Sequence, residues 1–177
     1  MGPSKGFIIA AGVVVIGGMI AMFVLYRMYA KATDISWERV TELINQEFPN
    51  VEHISTYELA KLMADNQAVT IIDSRAEAEF EVSHLPGASH AETVAEIERL
   101  AETGNPIVVY CSVGYRSSRL VSELQRAGFS DVRNLEGSIF AWANEGRKLV
   151  KSGGQQAKTV HPYNKRWGKL LREELRH

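Results

Sequence analysis

The sequence predicts an α/β domain with a mainly parallel sheet, preceded by one membrane-spanning helix. Continuous apolar runs at 68–73 and 106–111 are typical of strands that are buried on both faces. Segments with helical periodicity separate these runs, which is the pattern of repeated β–α units. An uncharged apolar stretch at 7–26 is long enough to cross a bilayer as a helix.

Length and composition allow one ordinary domain and disfavour several functions. The chain has 177 residues, of which 45% are hydrophobic, so it can bury one core. A formal net charge of -1 and the lack of a long basic run argue against nucleic acid as a partner. One cysteine, and five histidines without a close pair, predict no metal site, and no cofactor is expected.

The N-terminal apolar stretch is predicted to be a retained single-pass anchor, after a short segment at 1–6. It exceeds the usual apolar length of a signal peptide, and its basic flank follows rather than precedes it, although Ala-Lys-Ala at 30–32 resembles a cleavage site. The excess of basic residues after the span places the long C-terminal part in the cytoplasm. Lys5 precedes the span, whereas Arg27, Lys31 and Arg39 follow it.

Residues 27–49 are predicted to form a connecting helix, capped by Asp34 or Ser36, because their apolar residues recur at helical spacing and Pro49 ends the pattern. Residues 50–150 then form the α/β domain. In order, the pattern predicts a strand before Ser55, a helix opened by a Ser55–Glu58 capping box, a strand at 68–73, a helix at 91–103, a strand at 106–111, a helix at 116–127, and a last strand and helix within 131–150.

Residues 151–177 are predicted to be a linker followed by an amphipathic helix. The linker is rich in glycine and polar residues. The helix would carry Trp167, Leu170, Leu171 and Leu175 on one face. That face either docks on the domain, which is the simpler expectation, or lies along the membrane surface near the anchor.

Cys111 is the first candidate functional residue, because it stands where a buried strand turns into a helix. Ligands bind at this end of the strands in parallel α/β sheets. Gly114 permits a loop with inward-facing N–H groups, and the next helix begins near Arg116. The positive electrostatic field of these N–H groups and of the helix N-terminus would lower the pKa of the Cys111 thiol and make it nucleophilic. Position alone leaves open whether Cys111 reacts or only packs.

Three motifs of the chain together resemble one known protein family. "CSVGYRSS", from Cys111, resembles that family's active-site loop, Cys-x-x-Gly-x-Arg. "TIIDSRAEAEFEVSHLPGA", at 70–88, resembles its strand ending in Asp and Arg, followed by Glu-Phe, His and Pro-Gly-Ala. "NLEGSIFAW", at 134–142, resembles its last strand-to-helix turn. This family is the rhodanese sulfurtransferases, which the chain resembles over about 54–150. The resemblance implies a rhodanese-like fold with a five-stranded sheet between helices.

The resemblance also implies a function, which is sulfane-sulfur transfer through a persulfide on Cys111. The donor would be thiosulfate or a small persulfide, and the acceptor a thiol or cyanide. Arg116 would attract the donor and lower the pKa of the Cys111 thiol, while also pairing with an acid such as Asp73 or Glu136. The backbone cradle would come from Ser112, Val113, Gly114, Tyr115 and Ser117.

Four further residues receive expected roles. Asp73 and Arg75 would brace the loop by hydrogen bonds to its backbone or to Arg116. His84 is expected to shape a turn rather than act as a base. His90 departs from the family pattern, and its place at the pocket or on the surface is open.

Several alternatives remain. Phosphatases and arsenate reductases of the same fold have a loop that is one residue longer, with arginine at the sixth position after cysteine, where this chain has Ser117. A non-catalytic binding or regulatory module is disfavoured by the presence of Cys111. A redox sensor would need an external partner, because there is no second cysteine. An anchored domain also predicts a membrane-protein partner in a sulfur relay.

Overall fold

The computed structural model describes residues 19–27, 34–101 and 104–177. The chain divides into two compact units, 1–34 and 35–177. In the first unit residues 19–27 are helical, and the rest of the predicted 7–26 span lies outside the described residues. Among the residues that are described, no helix has both the length and the apolar character needed to cross a bilayer.

The second unit is built on a five-stranded parallel sheet, which confirms the predicted α/β fold. Its strands are β1 (His53–Ile54), β2 (Thr70–Asp73), β3 (Ser89–His90), β4 (Ile107–Tyr110) and β5 (Val132–Leu135). Their order across the sheet is β1-β5-β4-β2-β3, and each neighbouring pair is parallel. The loops that leave the carboxyl ends of β2, β4 and β5 therefore meet at one edge of the sheet.

The helices of this unit follow the predicted pattern at most positions. They are α1 (Trp37–Glu47), α2 (Thr56–Ala64), α3 (Glu77–Val82), α4 (Val94–Leu100), α5 (Tyr115–Arg126) and α6 (Ser138–Asn144). Ser36 caps α1, and the predicted Ser55–Glu58 capping box opens α2. Helix α3 was not predicted, because its six residues are too few to show a helical period.

Hydrophobic cores lie on both faces of the sheet. Side chains alternate along β4, so Val108 and Tyr110 join one core and Ile107 and Val109 join the other. The first core also takes residues from α1, α2 and α6, and the second from α4 and α5. Burial on both faces explains why β2 and β4 lie in continuous apolar runs.

The C-terminal segment differs from the predicted single α-helix. Strands β6 (Leu149–Val150) and β7 (Gln156–Ala157) pair antiparallel, and two short 3-10 helices follow at Trp167–Leu170 and Glu173–Leu175. Gly168 disfavours an α-helix, and it packs so closely that an added Cβ would lie 2.9 Å from Pro162 Cβ. Leu170 and Leu171 are buried in the first core, so the segment docks on the domain.

Candidate active site

Cys111 follows β4 directly and lies at the sheet edge where the loops meet. It is the one cysteine of the chain, and it is only 1% exposed. Its N–H donates to Ser138 Oγ at 3.1 Å. Its carbonyl accepts from Ile139 N at 3.2 Å, and the Ser112 carbonyl accepts from Phe140 N at 3.1 Å. The first turn of α6 thus holds the carbonyl groups of the loop and fixes the orientation of its peptide planes.

Gly114 closes the loop over the thiol and starts α5. Its φ of +110° lies in the left-handed region, which glycine adopts without strain. Its N–H donates to Cys111 Sγ at 3.2 Å. The first N–H groups of a helix have no partner within the helix, so those of Tyr115, Arg116 and Ser117 are available to an anion at the thiol.

The pKa of the Cys111 thiol is lowered despite its burial. Burial alone raises this pKa, and the positive charge of Arg116 is the largest effect that lowers it. The hydroxyl and N–H of Ser117 and the N–H of Gly114 lower it further. The buried Ser117 Oγ has no hydrogen-bond partner among the described residues, so its hydroxyl is free to turn and donate to the sulfur. The site therefore favours a thiolate.

Arg116 pairs with Glu79, on α3. The guanidinium donates from Nη1 to Glu79 Oε2 at 2.8 Å and from Nη2 to Oε1 at 3.0 Å. Nη2 also donates to Ser112 Oγ at 2.9 Å, and that hydroxyl donates to Glu79 Oε1 at 3.2 Å. Burial raises the pKa of Glu79, but the arginine outweighs this and lowers it. The one positive charge among the residues that line the thiol cavity is thus paired with a nearly buried carboxylate.

The acid that pairs with Arg116 was therefore predicted wrongly. Glu136 lines a neighbouring cavity together with His53 and Trp37. Asp73 is bound to Arg75. Glu79 belongs to the Glu-Phe pair that carried part of the family resemblance. Its pairing with Arg116 was missed because nothing in the residues near Glu79 in the sequence points to that distant arginine.

Asp73 and Arg75 form a fully buried ion pair at the end of β2. Arg75 Nη2 donates to Asp73 Oδ2 at 2.7 Å and to the Ser83 carbonyl at 2.6 Å. The pair thus ties β2 to the segment after α3, rather than bonding the loop backbone or Arg116 as predicted. Its link to the loop passes through Ser74, whose N–H and hydroxyl both donate to the Tyr110 carbonyl at 2.9 Å.

The two candidate histidines contact backbone rather than the thiol. His84 is buried, stacks on Phe80 with ring centroids 3.8 Å apart, and bonds the Phe80 carbonyl through Nδ1 at 3.0 Å. His90 bonds the Arg75 carbonyl through Nε2 at 2.6 Å. Both arrangements suit structural roles. Within the described ranges, no group of three His, Cys, Asp or Glu side chains could hold a metal ion.

A cavity of about 120 Å³ opens on the thiol. The loop and the start of α5 line one side, through Cys111, Ser112, Val113, Tyr115 and Arg116. The other side comes from Tyr163 and Trp167 in the C-terminal segment. The Arg116 guanidinium carbon lies 4.7 Å from the centroid of the Tyr163 ring. The sequence analysis placed neither aromatic residue at the thiol, because contacts across a linker follow no local period.

Strand β4 leads through the Cys111 loop into α5, and Cys111 and Arg116 lie around the backbone cradle. This arrangement agrees with the known family that the chain matches. Residues 55–145, just over half of the chain, match the rhodanese-like domain. The chain belongs to this family. Tyr163 and Trp167 lie outside the matched range.

Several known proteins resemble this rhodanese-like chain. A sulfurtransferase from Allochromatium vinosum is 31% identical over 106 residues, which cover 59% of this chain and 99% of that protein. The probable adenylyltransferase/sulfurtransferase MoeZ from Mycobacterium tuberculosis is 29% identical over 71% of this chain, which spans only 36% of MoeZ. The crystal structure of a rhodanese-like domain protein from Staphylococcus aureus is 27% identical, with a TM-score of 0.51 over 58% of this chain and 99% of that one.

Proposed function

We propose that this protein transfers sulfane sulfur from a small donor to a thiol or cyanide through a Cys111 persulfide. The observation that carries the proposal is a buried thiol whose pKa is lowered and whose sulfur accepts the Gly114 N–H at 3.2 Å. In the first step the thiolate attacks the outer sulfur of a donor such as thiosulfate. The donor S–S bond breaks, and sulfite leaves with the electron pair.

The loop suits the intermediate as well as the thiolate. A persulfide ends in an anionic sulfur, and the free N–H groups at the start of α5 can hold that charge without reorganising. Arg116 adds one positive charge on the same side. Four residues separate Cys111 from Arg116, one fewer than in the phosphatase loop, and this spacing supports sulfur over phosphate chemistry.

The second step needs an external acceptor. Cys111 has no second cysteine in the chain with which to form a disulfide. A thiol or cyanide would attack the outer sulfur of the persulfide, and the Cys111 thiolate would leave. The cradle that stabilised the nucleophile in the first step then stabilises the leaving group in the second.

A cyanide assay on the full-length protein tests this function. Thiosulfate and cyanide are supplied together, and thiocyanate is measured. We expect catalytic thiocyanate formation that Cys111→Ser abolishes. Ser122→Ala, in helix α5 after the loop and outside the lining of the cavity, serves as the control and should keep the activity. If no thiosulfate or persulfide donor yields thiocyanate above the Cys111→Ser level, a non-catalytic binding or regulatory module becomes the better account.

We also propose that residues 7–26 anchor the domain in a membrane, with the domain in the cytoplasm. The uncharged length of this stretch and the basic residues that follow it support the proposal. Such an anchor would favour sulfur transfer to a membrane-protein partner. Extraction of cell membranes with alkaline carbonate tests the anchor, because an integral protein stays in the pellet. Release into the supernatant would contradict it. Protease protection in sealed vesicles tests the side.

A further inference from the structure

One wall of the thiol cavity comes from outside the segment that matches the rhodanese-like family. The match ends at residue 145, whereas Tyr163 and Trp167 line the cavity together with Cys111. Part of the surface that a donor's leaving group would meet therefore comes from the C-terminal segment, outside the family match.

This wall is held in place by several contacts. Asn144, at the end of α6, donates from Nδ2 to the Leu170 carbonyl at 2.8 Å and accepts from Arg172 N through Oδ1 at 2.9 Å. Asn164 Oδ1 accepts from the backbone N of Trp167 at 3.0 Å. Tyr163 has a φ of +61°, which a residue with a side chain rarely adopts, and this conformation accompanies its ring contact with Arg116.

The cavity offers aromatic surface rather than excess positive charge. Arg116 is the only lysine or arginine among the lining residues, and both of its Nη atoms bond the Glu79 carboxylate. The ring of Tyr163 covers the guanidinium from another side. Thiosulfate carries two negative charges and releases sulfite, also a dianion. The negative faces of aromatic rings do not favour such a group, but they do favour apolar and aromatic groups.

We propose that Tyr163 and Trp167 determine donor specificity and favour an organic sulfane-sulfur donor with an apolar or aromatic leaving group over thiosulfate. This inference rests on the proposed persulfide function. With an arenethiosulfonate, the Cys111 thiolate forms a bond to the outer sulfur of Ar–SO2–S⁻. The bond between the two sulfur atoms breaks, and Ar–SO2⁻ leaves with the electron pair. The leaving arene lies against the two aromatic side chains.

The test compares two donors of equal charge on the full-length protein, benzenethiosulfonate and methanethiosulfonate. Thiocyanate formation gives kcat/KM for each donor, and the ratio isolates the contribution of the ring. We expect the wild type to prefer the benzene compound. Tyr163→Ala and Trp167→Ala should each lower this ratio about threefold to tenfold, mainly through KM for the benzene compound. Thiosulfate is run in parallel and should be a poorer donor than benzenethiosulfonate.

Matched variants separate the loss of an aromatic ring from a loss of folding. Tyr163 is 48% exposed, so its replacement by alanine should leave the fold intact. Trp167 is replaced by leucine as well as by alanine, because leucine keeps part of the apolar volume. Tyr163→Phe and Trp167→Phe retain a ring and should retain the preference. Tyr57→Ala removes an exposed tyrosine on α2, outside the cavity lining, and should not change the ratio.

The outcomes separate this inference from the proposed function. If Cys111 takes up sulfur but the wild type shows no preference for the benzene compound, the inference is wrong and the sulfurtransferase function stands. The same follows if the alanine variants keep the wild-type ratio. If mass spectrometry shows that Cys111 takes up no sulfur from any of the three donors, both proposals fail.

Discussion

Replacing Ser117 with alanine should raise the pKa of the Cys111 thiol. The Ser117 hydroxyl is one of the groups that lower this pKa. Its buried oxygen has no hydrogen-bond partner among the described residues, so its removal should change little besides its effect on the thiolate. Fewer donors to the thiolate disfavour the charged form, and the titration midpoint therefore moves to higher pH.

The size of the shift follows from the strength of one hydrogen bond. A hydrogen bond to a charged acceptor contributes about 1.5–3 kcal/mol. Sulfur is a weak acceptor, so the lower end of that range applies. Since one pKa unit corresponds to about 1.4 kcal/mol, the pKa should rise by about 1 unit. At a pH below the midpoint of the thiol titration, the thiolate fraction falls about tenfold. A thiolate of higher pKa is a stronger nucleophile, which offsets part of this loss, so alkylation should slow about threefold to fourfold.

The assay is the rate of iodoacetamide labelling of Cys111 between pH 5 and 10, followed by intact mass. Ser118→Ala is the matched control. Ser118 is the next residue on α5 and equally buried, but its hydroxyl donates to the Gly114 carbonyl at 2.7 Å instead of serving the thiol. Its midpoint should stay near the wild type. An unchanged midpoint in Ser117→Ala, or an equal shift in both variants, would refute the reasoning.

Three other substitutions test the loop, the ion pair and the C-terminal segment. Gly114→Ala should lower the free energy of unfolding, measured in urea, by about 1–3 kcal/mol. Gly128→Ala should lower it less. Both glycines have positive φ, but of the two only Gly114 would bring an added Cβ close to a neighbour, 3.2 Å from Ile44 Cδ1. Equal losses would contradict this. The pKa of Glu79 is lowered, so its contribution to stability is present above pH about 4.3 and is lost as the pH falls further. Glu79→Gln should therefore lower Tm at pH 7, and the difference should shrink near pH 3; a constant difference would contradict the pairing. Leu171→Ala should cost about 2–5 kcal/mol, since this side chain is 1% exposed, whereas a negligible loss would show that the segment does not dock.

The local patterns of the sequence predicted four of the five strands of the main sheet, most helices and the position of Cys111, and missed the two-residue β3. Apolar runs buried on both faces mark strands, and Ser55 with Glu58 marks the start of α2 through contacts three residues apart. Cys111 and Gly114 share one loop, so a contact between the Gly114 N–H and the sulfur is a local one that their spacing allows.

The missed features depend on contacts between distant parts of the chain. Glu79 reaches Arg116 across 37 residues, and no spacing rule connects them. Tyr163 and Trp167 come from a segment whose apolar residues were predicted to form one helix. Two 3-10 turns replace that helix: Gly168 packs closely on Pro162, and the side chain of distant Asn144 bonds the Leu170 carbonyl and the Arg172 N–H.

The central claim is that Cys111 carries sulfur as a persulfide, and intact-mass spectrometry of the full-length protein tests it most directly. The protein is measured before and after incubation with thiosulfate or benzenethiosulfonate, and again after cyanide. The account predicts a gain of one sulfur atom that cyanide removes and that Cys111→Ser lacks. An unchanged mass with every donor, or the same gain in Cys111→Ser, would contradict it.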